Sequence, residues 1–138
     1  MILGTKVRYA VMAMVELAGR DGENPVSLSE LAESQEITLP YLEQIFAKLR
    51  QGGLVKSVRG PGGGYILART ANETHIADIV AAVEESTKMT RCENHAGGCM
   101  SDKTRCVTHH LWEGLEQQID SYLGSISLQD VRERKLKH

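Results

Sequence analysis

Aromatic side chains are scarce in this sequence. One phenylalanine, one tryptophan and four tyrosines make up 4% of its 138 residues, so any core must be mainly aliphatic. Long apolar runs are missing too. The longest, Tyr9 to Ala18, is interrupted by Glu16 and falls short of the ~18 apolar residues that would span a bilayer. The opening MILGTKVRYA holds no cationic stretch followed by an apolar block, so no signal peptide and no membrane partner are expected, and the expected location is cytoplasmic. Signatures of catalysis are equally thin. There is no GxGxxG ahead of a helix, no nucleophile–base set and no second cysteine pair for thiol exchange, so the chain is not expected to be an enzyme. Disorder is excluded by balance, since 41% hydrophobic and 25% charged residues are ordinary for a globular chain.

Cysteine is confined to one place. Cys92, Cys99 and Cys106 are the whole complement and fall within fifteen residues. Three thiols cannot all pair within one chain, and in a reducing compartment close thiols point to metal or redox chemistry. The pattern is Cys92-x6-Cys99-x6-Cys106-x2-His109. Thiolates are soft ligands that select iron–sulfur clusters, zinc or copper(I). Four ligands satisfy a tetrahedral zinc or the outer valences of a two-iron cluster, and His109 can supply the fourth. His110 and His95 compete with it for that role. The spacings exceed those of the usual zinc knuckle, which favours a cluster. Three thiolates and one imidazole would seal a site less tightly than four thiolates, which suits a sensor that gains and loses its cluster.

Net charge is −2, so bulk charge does not point to nucleic acid. Its distribution does. Between Lys48 and Arg69 lie five basic residues (Lys48, Arg50, Lys56, Arg59, Arg69) and no acidic one, whereas the chain from Ala71 onward holds eleven acids against eight bases. A purely basic stretch in a mildly acidic chain fits a local phosphate-facing surface.

The order of elements gives that surface a shape. Val7, Ala10, Val11, Met14, Val15 and Ala18 predict a first helix, ended by Gly19 to Gly22. Ser27-Leu-Ser-Glu30 has the form of a capping box opening a short second helix to about Ser34. Thr38 is placed to cap a third helix with Pro40 in its first turn and Leu42, Ile45, Phe46 and Leu49 on its buried face, terminated by Gly52-Gly53. Two strands, 54–58 and 64–68, flank the turn Gly60-Pro-Gly-Gly-Gly64. Thr74 is placed to cap a fourth helix buried along Ile76, Ile79, Val80 and Val83. A last long helix begins near His109 with Leu111, Leu115, Ile119, Tyr122 and Ile126 in a stripe beside Trp112. Ser127-Leu-Gln-Asp130 resembles a further cap, and RERKLKH reads as a frayed tail.

Three helices followed by a glycine-tipped hairpin is the order of a winged helix-turn-helix. The fold class expected is therefore mainly α with a small two-stranded wing and a long C-terminal dimerisation helix. The third helix would enter the major groove of double-stranded DNA. Off its buried face lie Pro40, Tyr41, Glu43 and Gln44, just after Thr38. Gln44 can pair bidentately with adenine and Glu43 can accept from cytosine. Arg59 and the wing residues Pro61, Gly62 and Gly63, with the amides of Gly62 to Gly64, suit the sugar–phosphate backbone or the minor groove. One small winged helix reads little sequence, so a homodimer on a two-fold operator is expected, joined through the last helix.

These residues resemble a known family. LPYLEQIFAKLRQGGLVKSVRGPGGGYILAR (39–69), the thiol loop entered by Thr90-Arg-Cys92, and Cys106-Val-Thr-His109 followed by Leu-Trp are similar to the IscR-type iron–sulfur-cluster regulators of bacteria, to about Val131. The resemblance implies a homodimeric winged-helix transcription regulator that carries a [2Fe–2S] cluster and controls cluster-assembly genes. It implies Cys92, Cys99, Cys106 and His109 as ligands, a helix-turn-helix at about 28–51 and a wing at 59–64. Residues 1–69 would form the DNA-binding part, and 70–138 the connecting helix, cluster loop and dimer helix. The chain departs from the pattern in four places: both inter-cysteine gaps are one residue longer, Glu36 occupies a turn position that is often glycine, Pro40 replaces a small polar residue, and the C-terminal tail is short. Relatives on the same scaffold respond to nitric oxide through a [4Fe–4S] cluster or to iron or cysteine. A zinc-stabilised interaction module is a further alternative.

Overall fold

A computed structural model describes residues 4–20, 24–83 and 107–136. The described elements are α1 (Thr5–Gly19), α2 (Leu28–Gln35), α3 (Leu39–Gln51), β1 (Val55–Val58), β2 (Gly64–Leu67), α4 (Ile76–Val83), α5 (His109–Ser125) and α6 (Leu128–Arg132). The architecture is mainly helical with one two-stranded antiparallel sheet, as the sequence predicts. Helix α1 buries Val7, Ala10, Ala13, Met14 and Leu17, a stripe at helical spacing, and α2, α3, α4 and α6 pack around it. Among the described residues no helix is long and apolar enough to cross a membrane.

The turn between α2 and α3 sets the angle of α3. Glu36 closes α2 in the left-handed conformation, φ 55° and ψ 44°. The Ile37 amide then donates to the Ala32 carbonyl at 3.0 Å, and the Ile37 side chain is buried beneath. A glutamate therefore does here what glycine commonly does at such a stop. Along α3, Leu42, Ile45, Phe46 and Leu49 are fully buried, as their spacing predicts. Gly53, at φ 75°, ends the helix and admits Leu54 to the core.

The wing is tied back to the helix-turn-helix. Strands β1 and β2 pair in register Val55 with Leu67 through Val58 with Gly64. On the other edge of β2, Tyr65 exchanges both backbone hydrogen bonds with Val26, at 2.9 and 3.0 Å. Val26 directly precedes Ser27, the N-cap of α2. The approach is possible because residue 64 is glycine: a Cβ there would lie 2.2 Å from the Val26 carbonyl oxygen.

The helix caps depart from expectation in three places. Ser27 Oγ accepts from the Glu30 amide at 3.2 Å, but the Glu30 carboxylate accepts from Arg20 instead of returning the bond, so the box is half made. Thr38 is the N-cap residue of α3 yet makes no side-chain cap bond. Pro40, at the second helical position, lacks one of the two amides such a hydroxyl could accept from. Thr74 does not cap α4. Its buried hydroxyl donates to the Thr70 carbonyl at 3.0 Å, and α4 opens at Ile76 with Asp78 accepting from the His75 amide at 3.1 Å. The C-terminal segment explains this, because Leu128 donates to the Thr74 carbonyl and Ile76 to the Ile126 carbonyl. Ser127 and Asp130 do form a complete capping box on α6. The residues after α6, read as a frayed tail, are hydrogen-bonded back to the helix as far as Lys135: Arg134 turns left-handed and the Lys135 amide donates to the Asp130 carbonyl at 2.9 Å.

Candidate nucleic-acid interface and imidazole site

Helix α3 is held against α1 and α2 by its buried face, which leaves its other face outward. Thr38, Pro40, Glu43 and Gln44 are all exposed on or beside that face. Tyr41 is not. It is half-buried, its ring meeting Tyr9 of α1 edge-on at 5.9 Å and 87°, so part of its surface belongs to the packing of α3 on α1. In the wing, Arg59, Pro61 and Gly62 are exposed and Gly63 is half-buried. Gly60 and Gly62 turn at φ 104° and 75°, conformations that glycine adopts without strain. The Gly63 amide is committed inside the turn, donating to the Gly60 carbonyl at 2.8 Å, so it is not among the donors the tip offers outward.

A polar knot fixes α1 to the end of α2, and so fixes where α3 begins. Glu16 of α1 accepts from the Ser34 hydroxyl at 2.5 Å, from Arg20 Nη2 at 2.8 Å, and from the Gln35 side-chain amide. Arg20 also donates to Glu30 at 3.1 Å. Burial opposes the charge on Glu16, but the hydrogen bonds from Ser34, Arg20 and Gln35 together with the Arg20 charge outweigh it and hold its carboxyl below the usual range.

Cys92, Cys99, Cys106 and His95 lie outside the described residues. Among the described residues no three metal-ligating side chains come together. What is described is the histidine end of the thiol pattern. His109 is the first residue of α5 and is buried, whereas its neighbour His110 is exposed and stands edge-on to it at 5.4 Å. Nε2 of His109 lies 2.8 Å from a carboxylate oxygen of Glu113. Sequence reasoning missed Glu113, although its spacing of four from His109 on a helix is a readable signal. It also missed the Val26–Tyr65 bridge, for which Gly64 was the only clue.

Beyond His109, α5 turns an apolar face outward. Leu111, Trp112, Leu115 and Tyr122 are exposed and Ile119 is half-buried. Ile126, read as the last member of that stripe, instead lies just past the helix end and is buried.

Residues 3–134 match the Rrf2 family, described as iron-dependent transcriptional regulators. The chain belongs to the Rrf2 family. It is 50% identical over 131 residues to the HTH-type transcriptional regulator IscR of Xenorhabdus nematophila, covering 95% of this chain and 79% of that one. Among solved structures, IscR of T. potens superposes with a TM-score of 0.78 at 41% identity, covering 98% of this chain and 88% of that one. CymR, the global cysteine regulator of B. subtilis, superposes with a TM-score of 0.81 at 30% identity, covering 97% and 98%. This Rrf2 chain is thus an IscR-type transcriptional regulator with a winged helix-turn-helix, and not an enzyme.

Proposed function

We propose that this Rrf2 regulator is a cytoplasmic homodimer that binds a [2Fe–2S] cluster through Cys92, Cys99, Cys106 and His109, and controls iron–sulfur assembly genes at two-fold DNA sites. Residues 1–69 carry the DNA contacts, with Glu43 and Gln44 reading bases and Arg59, Pro61 and Gly62 on the backbone; residues 70–138 carry cluster and dimer functions. The single observation that supports the cluster reading is His109. A buried imidazole, three residues after Cys106, has one ring nitrogen held by the Glu113 carboxylate. That is the arrangement in which metal-ligating histidines are commonly held. Three soft thiolates with such an imidazole fit a cluster better than they fit a hard cation. When bound, the cluster would supply a crosslink that depends on iron and sulfide supply and on redox state. The chain's own part is to carry one ligand on the first residue of α5, the helix whose apolar face is open to a second copy.

Anaerobic purification tests the reading. Red-brown protein with about two irons and two sulfides per chain is expected. Alanine at Cys92, Cys99 or Cys106 should abolish or strongly reduce the visible absorption while far-ultraviolet circular dichroism stays unchanged. A full spectrum in any one variant removes that residue from the ligand set. A count of four irons and four sulfides would mean the larger cluster, and colourless zinc protein would mean the structural alternative.

A further inference from the structure

We infer that Glu113 is a positioning residue for the fourth ligand: its carboxylate takes the Nε2 hydrogen of His109, so that His109 meets iron through Nδ1. This rests on the cluster reading above. The two side chains sit four residues apart on α5, and their polar atoms are 2.8 Å apart. The imidazole side chain is 6% exposed and the carboxylate 42%, so the ring is enclosed while its partner reaches it from the solvent side. Both belong to one helix turn, so the pair does not depend on the thiol loop for its geometry.

Chemistry then selects the tautomer. A metal-ligating imidazole is neutral and carries one N–H. An ionised carboxylate only accepts, so a neutral ring keeping this contact has its hydrogen on Nε2 and its lone pair on Nδ1. His110 stands edge-on to His109 with its own ring exposed, and the Glu113 contact is to the buried ring of His109. A carboxylate on the outer nitrogen also makes the ligand more electron-rich, which favours the oxidised, more positive cluster.

The test has one readout without metal and three with it. In metal-free protein, at a pH where the ring is neutral, long-range proton–nitrogen correlations should show His109 as the Nε2–H tautomer, and Glu113→Ala should shift the population toward Nδ1–H. In reconstituted, reduced protein carrying histidine labelled with ¹⁵N at Nδ1 alone, pulsed paramagnetic resonance should show the strong coupling on the labelled nitrogen. Glu113→Ala should lose iron to a chelator at about 10–100-fold lower competitor concentration. Glu113→Gln, whose carbonyl still accepts from Nε2–H, should keep Nδ1 ligation and most of the iron affinity but show a higher reduction potential. Coupling on Nε2, or a Glu113→Ala protein with wild-type tautomer, iron affinity and potential, overturns the inference. If wild-type protein assembles no cluster, the cluster reading falls and with it the iron role of Glu113, while the tautomer readout still decides whether Glu113 orients His109.

Discussion

Helices α3 and α5 carry apolar residues at the same helical spacing, but only one of them is covered. On α3, Leu42, Ile45, Phe46 and Leu49 are 0% exposed. On α5, Leu111 is 61%, Leu115 39% and Tyr122 44% exposed, and the one buried residue is the polar His109. Periodicity announces a face in both cases; it does not say whether the chain itself supplies the cover. Each large apolar side chain gains about 1.5–3 kcal/mol from full burial, so α3 is held by its own fold while α5 still has that gain to realise. An exposed contiguous apolar face of this kind marks an interaction surface. A second copy meeting it across a two-fold axis would cover both helices at once.

The comparison is broken most easily at its extremes. Phe46→Ala should cost about 3–5 kcal/mol of folding stability, read by chemical denaturation. Leu111→Ala should cost almost none at concentrations where only monomer is present, and equal losses in the two variants would erase the distinction. Next in size, Trp112→Ala should weaken the dimer by about 2 kcal/mol, roughly thirty-fold in Kd, with the helical content of the monomer unchanged. Sedimentation equilibrium decides it, and an unaltered Kd would mean that α5 is not the interface.

The same contrast explains what the sequence made legible. The buried face of α3 and the glycine-tipped wing followed from period and turn chemistry, because local pattern and tertiary packing agree there. The capping of α4 did not. Thr74 has the right chemistry for a cap, but the backbone around it is occupied by the segment at 126–128, a contact fifty residues away in sequence that no local pattern encodes. Tyr41 looked free because it falls off the main apolar stripe, yet Tyr9 of α1 covers it in part. Glu36 is the opposite case: the left-handed turn exists although the residue there is not glycine, since the Ile37 anchor and its amide bond hold it. At the candidate site, sequence pattern supplied His109 as one histidine among three, and burial beside Glu113 is what separates it from His110.

The outer face of α3 and the wing tip supply the next comparison, between reading and gripping. Glu43→Ala should change which bases are tolerated, by about 1–3 kcal/mol at each affected position. Arg59→Ala should weaken specific and random DNA alike and lower the salt slope by about one ion. Titrations against one operator, its single-base variants and random duplex, at several salt concentrations, separate the two. A uniform loss for Glu43→Ala would move that residue from base recognition to backbone contact.

The smallest effect sharpens the contrast between a junction held by a polar knot, α1 with α2, and the open apolar face of α5. Glu16 joins α1 to the end of α2 through three hydrogen-bonding partners on its carboxylate. Its carboxyl titrates lower when folded than when unfolded: burial raises it, but the bonds from Ser34, Arg20 and Gln35 win. A group lowered in this way stabilises the fold fully above the unfolded carboxyl value, and that contribution disappears as pH falls through the folded value. Glu16→Gln should therefore cost about 1 kcal/mol near neutral pH, the scale of a hydrogen-bond network with partial solvent screening. As the pH drops, the wild type loses this advantage and the two stability curves converge. Denaturation across an acid series measures the convergence, and dimerisation through α5 should not change between the variants at neutral pH. A constant gap at every pH would mean that Glu16 acts by shape rather than by charge, and a weakened dimer would mean that the knot between α1 and α2 also sets the angle of α5.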